Sequence, residues 1–156
     1  MKLLLHACCG PCSLEPVRIL AEAGHDITIA YLNSNIAPAS EYEHRLKTLL
    51  KWAKSQNIPV IEGPYEPTTW QNAVKLTWNG TQENRADRCR ACYRIRLEEL
   101  ARYAHEHGFE GIGTTLTVSP YQYTDIINEE LERAAAPYEG LSAVFQDFRE
   151  FYPQAV

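Results

Sequence analysis

Three of the five cysteines crowd into His6-Ala7-Cys8-Cys9-Gly10-Pro11-Cys12. The other two, Cys89 and Cys92, form a C-x-x-C flanked by Arg88, Arg90 and Arg94. Thiolates are soft ligands suited to zinc or to iron–sulfur clusters, and they are also redox-active nucleophiles. A tetrahedral zinc site would use four of the five thiols, and an iron–sulfur cubane also takes four. Neighbouring side chains at Cys8 and Cys9 point apart. That is awkward around one small ion and easier around a cluster of several irons. A thiolate-bound cubane is anionic, and a helix N-terminus with Arg88 and Arg90 beside it would stabilise that charge. The spacing therefore favours a cluster over structural zinc, with thiol redox chemistry or buried structural cysteines as the remaining readings.

Such chemistry needs elements that bring the two groups together. Residues 3–5, Leu-Leu-Leu, read as a buried parallel strand ending just before the first thiols. Ser13 is the expected N-cap of the first helix, with Leu14, Val17 and Leu20 inward and Gly24 at its end. Residues 27–32 form a second strand and residues 33–38 the loop at its carboxyl end. Ser40 and Glu43 match a capping box, ahead of a helix with Tyr42, Leu46, Leu49, Leu50 and Ala53 on one face. Residues 59–63 are a third strand. Trp70, Val74 and Leu76 mark a further helix, and residues 81–88 a polar loop. A long helix is expected over 91–107, placing the C-x-x-C at its N-terminus, with Leu97, Leu100, Ala101 and Ala104 buried. Residues 111–115 are a fourth strand, Ser119-Pro120 the start of a helix reaching about 135, and residues 144–145 a fifth strand. This alternation predicts a single α/β domain over 1–156, a Rossmann-like parallel sheet with helices on both faces. Ligands collect at the carboxyl ends of such strands, where both cysteine groups can lie.

The totals narrow the function. The chain has 156 residues and a net charge of −5, with 45% hydrophobic and 22% charged residues. No apolar run approaches a membrane span, and the N-terminus does not match a secretory signal, so the expected compartment is the cytoplasm. Thiols there stay reduced, which turns the cysteines toward metal or redox use. The segment from Arg85 to Arg102 carries +3 and the remainder −8, a basic patch able to hold an anionic ligand or a phosphate backbone. Intrahelical pairs such as Arg94 with Glu98 are the plainer use of those charges.

These stretches resemble the cobalamin-independent epoxyqueuosine reductases, the QueH type. The likeness rests on His6 to Cys12, on Asn35-Ile36-Ala37-Pro38 with Glu41, Tyr42 and Arg45, on Arg88 to Arg94 with Arg96-Leu97, and on Thr114 to Tyr121. The resemblance implies a HUP-like fold and reduction of the epoxide of epoxyqueuosine to queuosine at the tRNA wobble position. It implies a [4Fe-4S] cluster held by Cys8, Cys9, Cys89 and Cys92. Cys12 is matched to an additional iron or to a nearby thiol. The family continues to a Cys-Gly-Cys, a redox-active pair able to form a disulfide bond. This chain lacks that motif and is expected to lack the segment that carries it.

Removing an epoxide oxygen to leave an alkene takes two electrons and two protons. An iron acting as Lewis acid would hold the oxygen while the cluster supplies electrons singly. Cys12, His6 and Tyr121 are the candidate catalytic residues. Asn35, Arg88, Arg90, Tyr93, Arg94, Thr115 and Ser119 are the candidate substrate contacts, with arginines, Arg96 included, on anticodon-loop phosphates and Tyr93 or Trp70 stacked on an unpaired base. The expected partners are tRNA and an electron donor that the sequence does not identify, with no membrane. Two other classes remain. One is a PP-loop ATPase, whose phosphate loop HACCGPC does not resemble. The other is a zinc-stabilised, non-catalytic module binding nucleic acid or protein.

Overall fold

A computed structural model describes residues 1–8, 10–75, 85–119 and 122–151, and all their side chains except those at 11, 12, 73, 85, 87 and 151. The strands are β1 (Lys2–His6), β2 (Asp26–Tyr31), β3 (Val60–Glu62), β4 (Gly111–Thr114) and β5 (Ser142–Ala143). They pair in the order β3-β2-β1-β4-β5, and every pairing is parallel. The helices are α1 (Gly10–Glu22), α2 (Ala39–Ser55), α3 (Pro67–Lys75), α4 (Arg85–Glu106) and α5 (Thr124–Ala135). This is the α/β, Rossmann-like architecture expected, in the expected element order.

Side chains along a strand alternate between faces, and β1 feeds two cores. Leu3 and Leu5 join Val17 and Leu20 of α1 and Tyr42 and Leu49 of α2. Leu4 joins Leu97, Leu100 and Ala104 of α4 and Ile127 and Leu131 of α5. Apolar contact on both faces explains why the central strands carry no polar alternation. The positive φ of Gly24 (96°) and Gly108 (74°) suits the turns that follow α1 and α4.

Several boundaries differ from the sequence expectation. α1 begins at Gly10 instead of at Ser13, so Ser13 is buried inside it and the first turn of the helix lies among the thiols. Pro11 can open that turn because its missing N–H has no intrahelical partner there. α2 starts after Pro38 with no side-chain cap, so the Ser40–Glu43 box does not form, and Leu50 is exposed. α4 begins six residues early, and Cys89 and Cys92 ride in its second turn. α5 starts at Thr124, while Ser119 closes the short 3₁₀ turn Leu116–Val118 instead of capping a helix. β5 lies two residues before its expected place.

A carboxylate clamps α4 to α5. The Glu130 side chain, 0% exposed, accepts from Arg90 Nη1 at 2.9 Å and from Arg94 Nε and Nη2 at 3.0 Å each. Arg90 also reaches Glu129 at 2.7 Å. Burial alone would raise the Glu130 pKa, but the hydrogen bonds from Arg94 and Arg90 outweigh it and hold the carboxyl below its ordinary value. Glu130→Ala is expected to cost about 3 kcal/mol, the low end for breaking a buried pair, because both arginines keep contact with water. The advantage of wild type over Glu130→Gln should be full at neutral pH. It should shrink as pH falls below the ordinary glutamate value of 4.5, because the unfolded chain protonates first. Urea titrations of the variants at neutral and acid pH check both; equal stability at neutral pH would contradict the clamp.

Candidate functional site

β1 and β4 are neighbours, but their continuations part. β1 leads into α1 on one face of the sheet, and β4 leads through Leu116–Val118 into α5 on the other. A crevice opens at the carboxyl edge where such connections diverge. Cys8 lies two residues beyond the end of β1 and is half-buried. α4 precedes the parallel strand β4, so its first turns return to this same edge. They carry Cys89, half-buried against the core beneath α4 and α5, and Cys92, 8% exposed. Arg96 follows Cys92 by one helical turn on the same face, and its charge reaches His6 at the end of β1. The backbone thus assigns Cys8 and the C-x-x-C to the same carboxyl edge of the sheet. No disulfide joins Cys8, Cys89 and Cys92. Among the described residues no group of three His, Cys, Asp or Glu forms a metal site. Cys9, Tyr121 and the side chain of Cys12, all expected at the site, lie outside those residues.

The edge is fastened by one imidazole. His6 is 0% exposed. Its Nε2 lies 3.0 Å from Asn33 Oδ1 and its Nδ1 lies 3.1 Å from Thr114 Oγ1. Asn33 Nδ2 donates to the Ala7 carbonyl at 2.9 Å, which leaves Oδ1 as the acceptor and assigns the ring proton to Nε2. Thr114 Oγ1 accepts the Leu116 N–H at 3.1 Å and therefore gives its own proton to Nδ1. Burial, joined by the charge of Arg96, pushes the imidazole down to about 3, against the opposing hydrogen bonds. The expectation of His6 as a proton donor meets a neutral ring with both nitrogens engaged and no solvent contact. The ring ties three segments together, with Asn33 as its partner from the loop after β2.

The loop after β2 is held by tyrosines. Tyr31 donates to the Tyr42 carbonyl at 2.8 Å, Tyr42 to Glu62 at 2.9 Å and Tyr65 to the Ile36 carbonyl at 2.6 Å. Tyr65 stacks on Tyr42 with centroids 4.0 Å apart. Asn35 stands in this loop with a buried Oδ1 that has no partner among the described residues. Thr115 continues the β1–β4 ladder through its N–H to the His6 carbonyl at 3.0 Å, while its buried Oγ1 is likewise unsatisfied. Both were expected to meet substrate, and both leave unmatched polar atoms of the kind a bound partner completes.

The remaining candidates separate. Arg90 and Arg94 are committed to Glu129 and Glu130, across helices and not to Glu98. Arg88 lies with its guanidinium 5.7 Å from the Trp70 ring centroid. Tyr93 is 1% exposed, its hydroxyl donates to Gln122 Oε1, and burial pushes that hydroxyl up to about 12. It offers no face to a base. Ser119 is half-buried at the end of the 3₁₀ turn. Trp70 points its indole Nε1–H at Cys92 Sγ, 3.2 Å away. Arg96, 6% exposed, lies 5.9 Å from the Tyr93 ring centroid, its Nε unsatisfied and no carboxylate paired with it among the described residues. A buried guanidinium calls for an anion. In their chemistry the thiols, the α1 N-terminus, the indole N–H at Cys92 and the buried charge of Arg96 suit an anionic, thiolate-bound centre.

The family model described as epoxyqueuosine reductase QueH matches residues 3–156. Among similar proteins of that description, one from Haemophilus influenzae is 37% identical over 139 residues, covering 88% of this chain and 56% of the relative. One from Staphylococcus aureus is 37% identical over 134 residues, covering 82% and 55%. One from Dehalococcoides mccartyi is 30% identical over 153 residues, covering 97% and 79%. The chain thus spans little more than half the length of the first two.

Asn33 is the test of the imidazole network. Asn33→Ala removes the donor to the buried Ala7 carbonyl and one of the hydrogen-bond partners of His6, and is expected to cost about 1–3 kcal/mol, the range for one buried orphan. Asn33→Asp should not rescue it, because a carboxylate cannot donate to the Ala7 carbonyl. Chemical denaturation measures both, and a loss under about 1 kcal/mol for Asn33→Ala would refute the network as a fastening.

Proposed function

The chain belongs to the QueH family of epoxyqueuosine reductases, and from that membership we propose that it carries out the reduction of epoxyqueuosine to queuosine in tRNA. The epoxide loses its oxygen as water, the two carbons become an alkene, and two electrons and two protons are consumed. The electrons come from a donor outside the chain. What supports the reading is topology: Cys8 follows β1 and the C-x-x-C sits in the first turns of α4, and both therefore belong to the carboxyl edge of the parallel sheet.

Cys8, Cys9, Cys89 and Cys92 would hold a [4Fe-4S] cluster, which supplies electrons one at a time. Cys12 would serve as a further thiol or as the ligand of a further iron. Asn35 Oδ1 and Thr115 Oγ1, both buried and unsatisfied among the described residues, receive polar groups of the modified base. Arg96 contributes buried positive charge. His6 acts by position: it stays neutral and keeps β1, β4 and the Asn33 loop in register beneath the thiols. The wobble base lies in a single-stranded loop, so it reaches such a crevice without opening a duplex. With Arg90 and Arg94 bound to carboxylates, few arginines of α4 remain for phosphates.

Anaerobic reconstitution with iron and sulfide should give about four of each per chain with a visible charge-transfer band. Cys89→Ser and Cys92→Ser should each abolish it. The reconstituted protein, given dithionite, should convert epoxyqueuosine-containing tRNA to the queuosine form. One zinc per chain with no sulfide would instead establish the zinc-stabilised module and end the cluster reading.

A further inference from the structure

Trp70 meets α4 through a polar contact as well as through its ring. α3 packs against α4, and Val74, which is buried, lies one turn from Trp70 on the same face of α3. The indole could meet α4 with any part of its ring, yet its only polar atom faces the sulfur at 3.2 Å. An indole N–H can only donate, so Cys92 Sγ is the acceptor. Sulfur accepts weakly as a thiol and far better when it carries negative charge, free or bound to metal. The Arg88 guanidinium, one turn before Cys92 on α4, lies over the same ring. Trp70 is therefore gripped by two successive turns of α4, and the edge bearing its N–H is turned inward.

We propose that Trp70 is a positioning residue for Cys92: its indole N–H orients the sulfur and makes a metal centre held by that sulfur easier to reduce. A hydrogen bond to a ligating sulfur draws density from the ligand, and the more negatively charged, reduced state gains more from it. This rests on the reading of Cys92 as a cluster ligand. It also gives Trp70 a use different from stacking on a base.

The test compares wild type, Trp70→Phe and Trp70→His after anaerobic reconstitution, with iron and sulfide counts followed by a redox titration of the visible band. Phenylalanine keeps an aromatic ring and removes the donor; histidine restores a ring N–H. Trp70→Phe is expected to hold the same iron and to lose up to about tenfold in its one-electron reduction equilibrium, about 59 mV. Trp70→His is expected to recover part of that shift. Equal iron with equal potentials in all three would overturn the proposal and leave the cluster reading intact. Iron lost from Trp70→Phe but kept by Trp70→His would support it, whereas iron lost from both would mean that ring volume matters and would overturn it. A wild type that holds no iron would overturn the cluster reading itself, and this proposal with it.

Discussion

A neutral imidazole sealed between three segments is the constraint on which the candidate site depends. His6 joins the end of β1, the end of β4 through Thr114 and the loop after β2 through Asn33. In a low-dielectric interior each of these hydrogen bonds has a fixed direction, since reversing one would leave a donor facing a donor. The network sets where β1 stops and where the chain turns to present Cys8. Thr115 and Asn35, with their unsatisfied buried oxygens, belong to the segments that this network joins.

The arginines of α4 divide by use. Arg90 and Arg94 are spent within the fold, on a carboxylate with no contact with water, and so fasten α5 to the helix that carries the C-x-x-C. Arg96 is buried without such a partner among the described residues. One helix thus combines charges that stabilise the scaffold with a charge left for a ligand. Counting positive residues along the segment does not separate the two kinds.

The layout of the sheet was legible because buried parallel strands read as short apolar runs and helices as spaced stripes. Leu97, Leu100, Ala101 and Ala104 could be placed in the core from spacing alone. The start of α4 was not legible, because residues 85–90 carry no apolar stripe; part of that stretch is anchored by the salt bridges of Arg90. Local cap signals misled at Ser13, at Ser40 with Glu43 and at Ser119, where tertiary placement of the chain overrode short motifs. The cysteine groups and the edge they occupy followed from topology. The roles of Asn33, Trp70 and Glu130 rest on contacts between residues 22 to 40 positions apart, and single-sequence patterns carry no record of such pairs.

α4 is one unbroken helix of 22 residues that carries both the C-x-x-C and the buried leucines and alanines that seat it on the sheet. Inserting a single residue between Cys92 and Leu97 would swing both thiols about 100° around the axis and lift them about 1.5 Å, while the seat stayed in place. The helix behaves as a keyed shaft: its outer end can be aimed only by where its inner end is locked. Lineages descended from such a chain would then tolerate exchanges of residue type along this stretch far better than changes in its length.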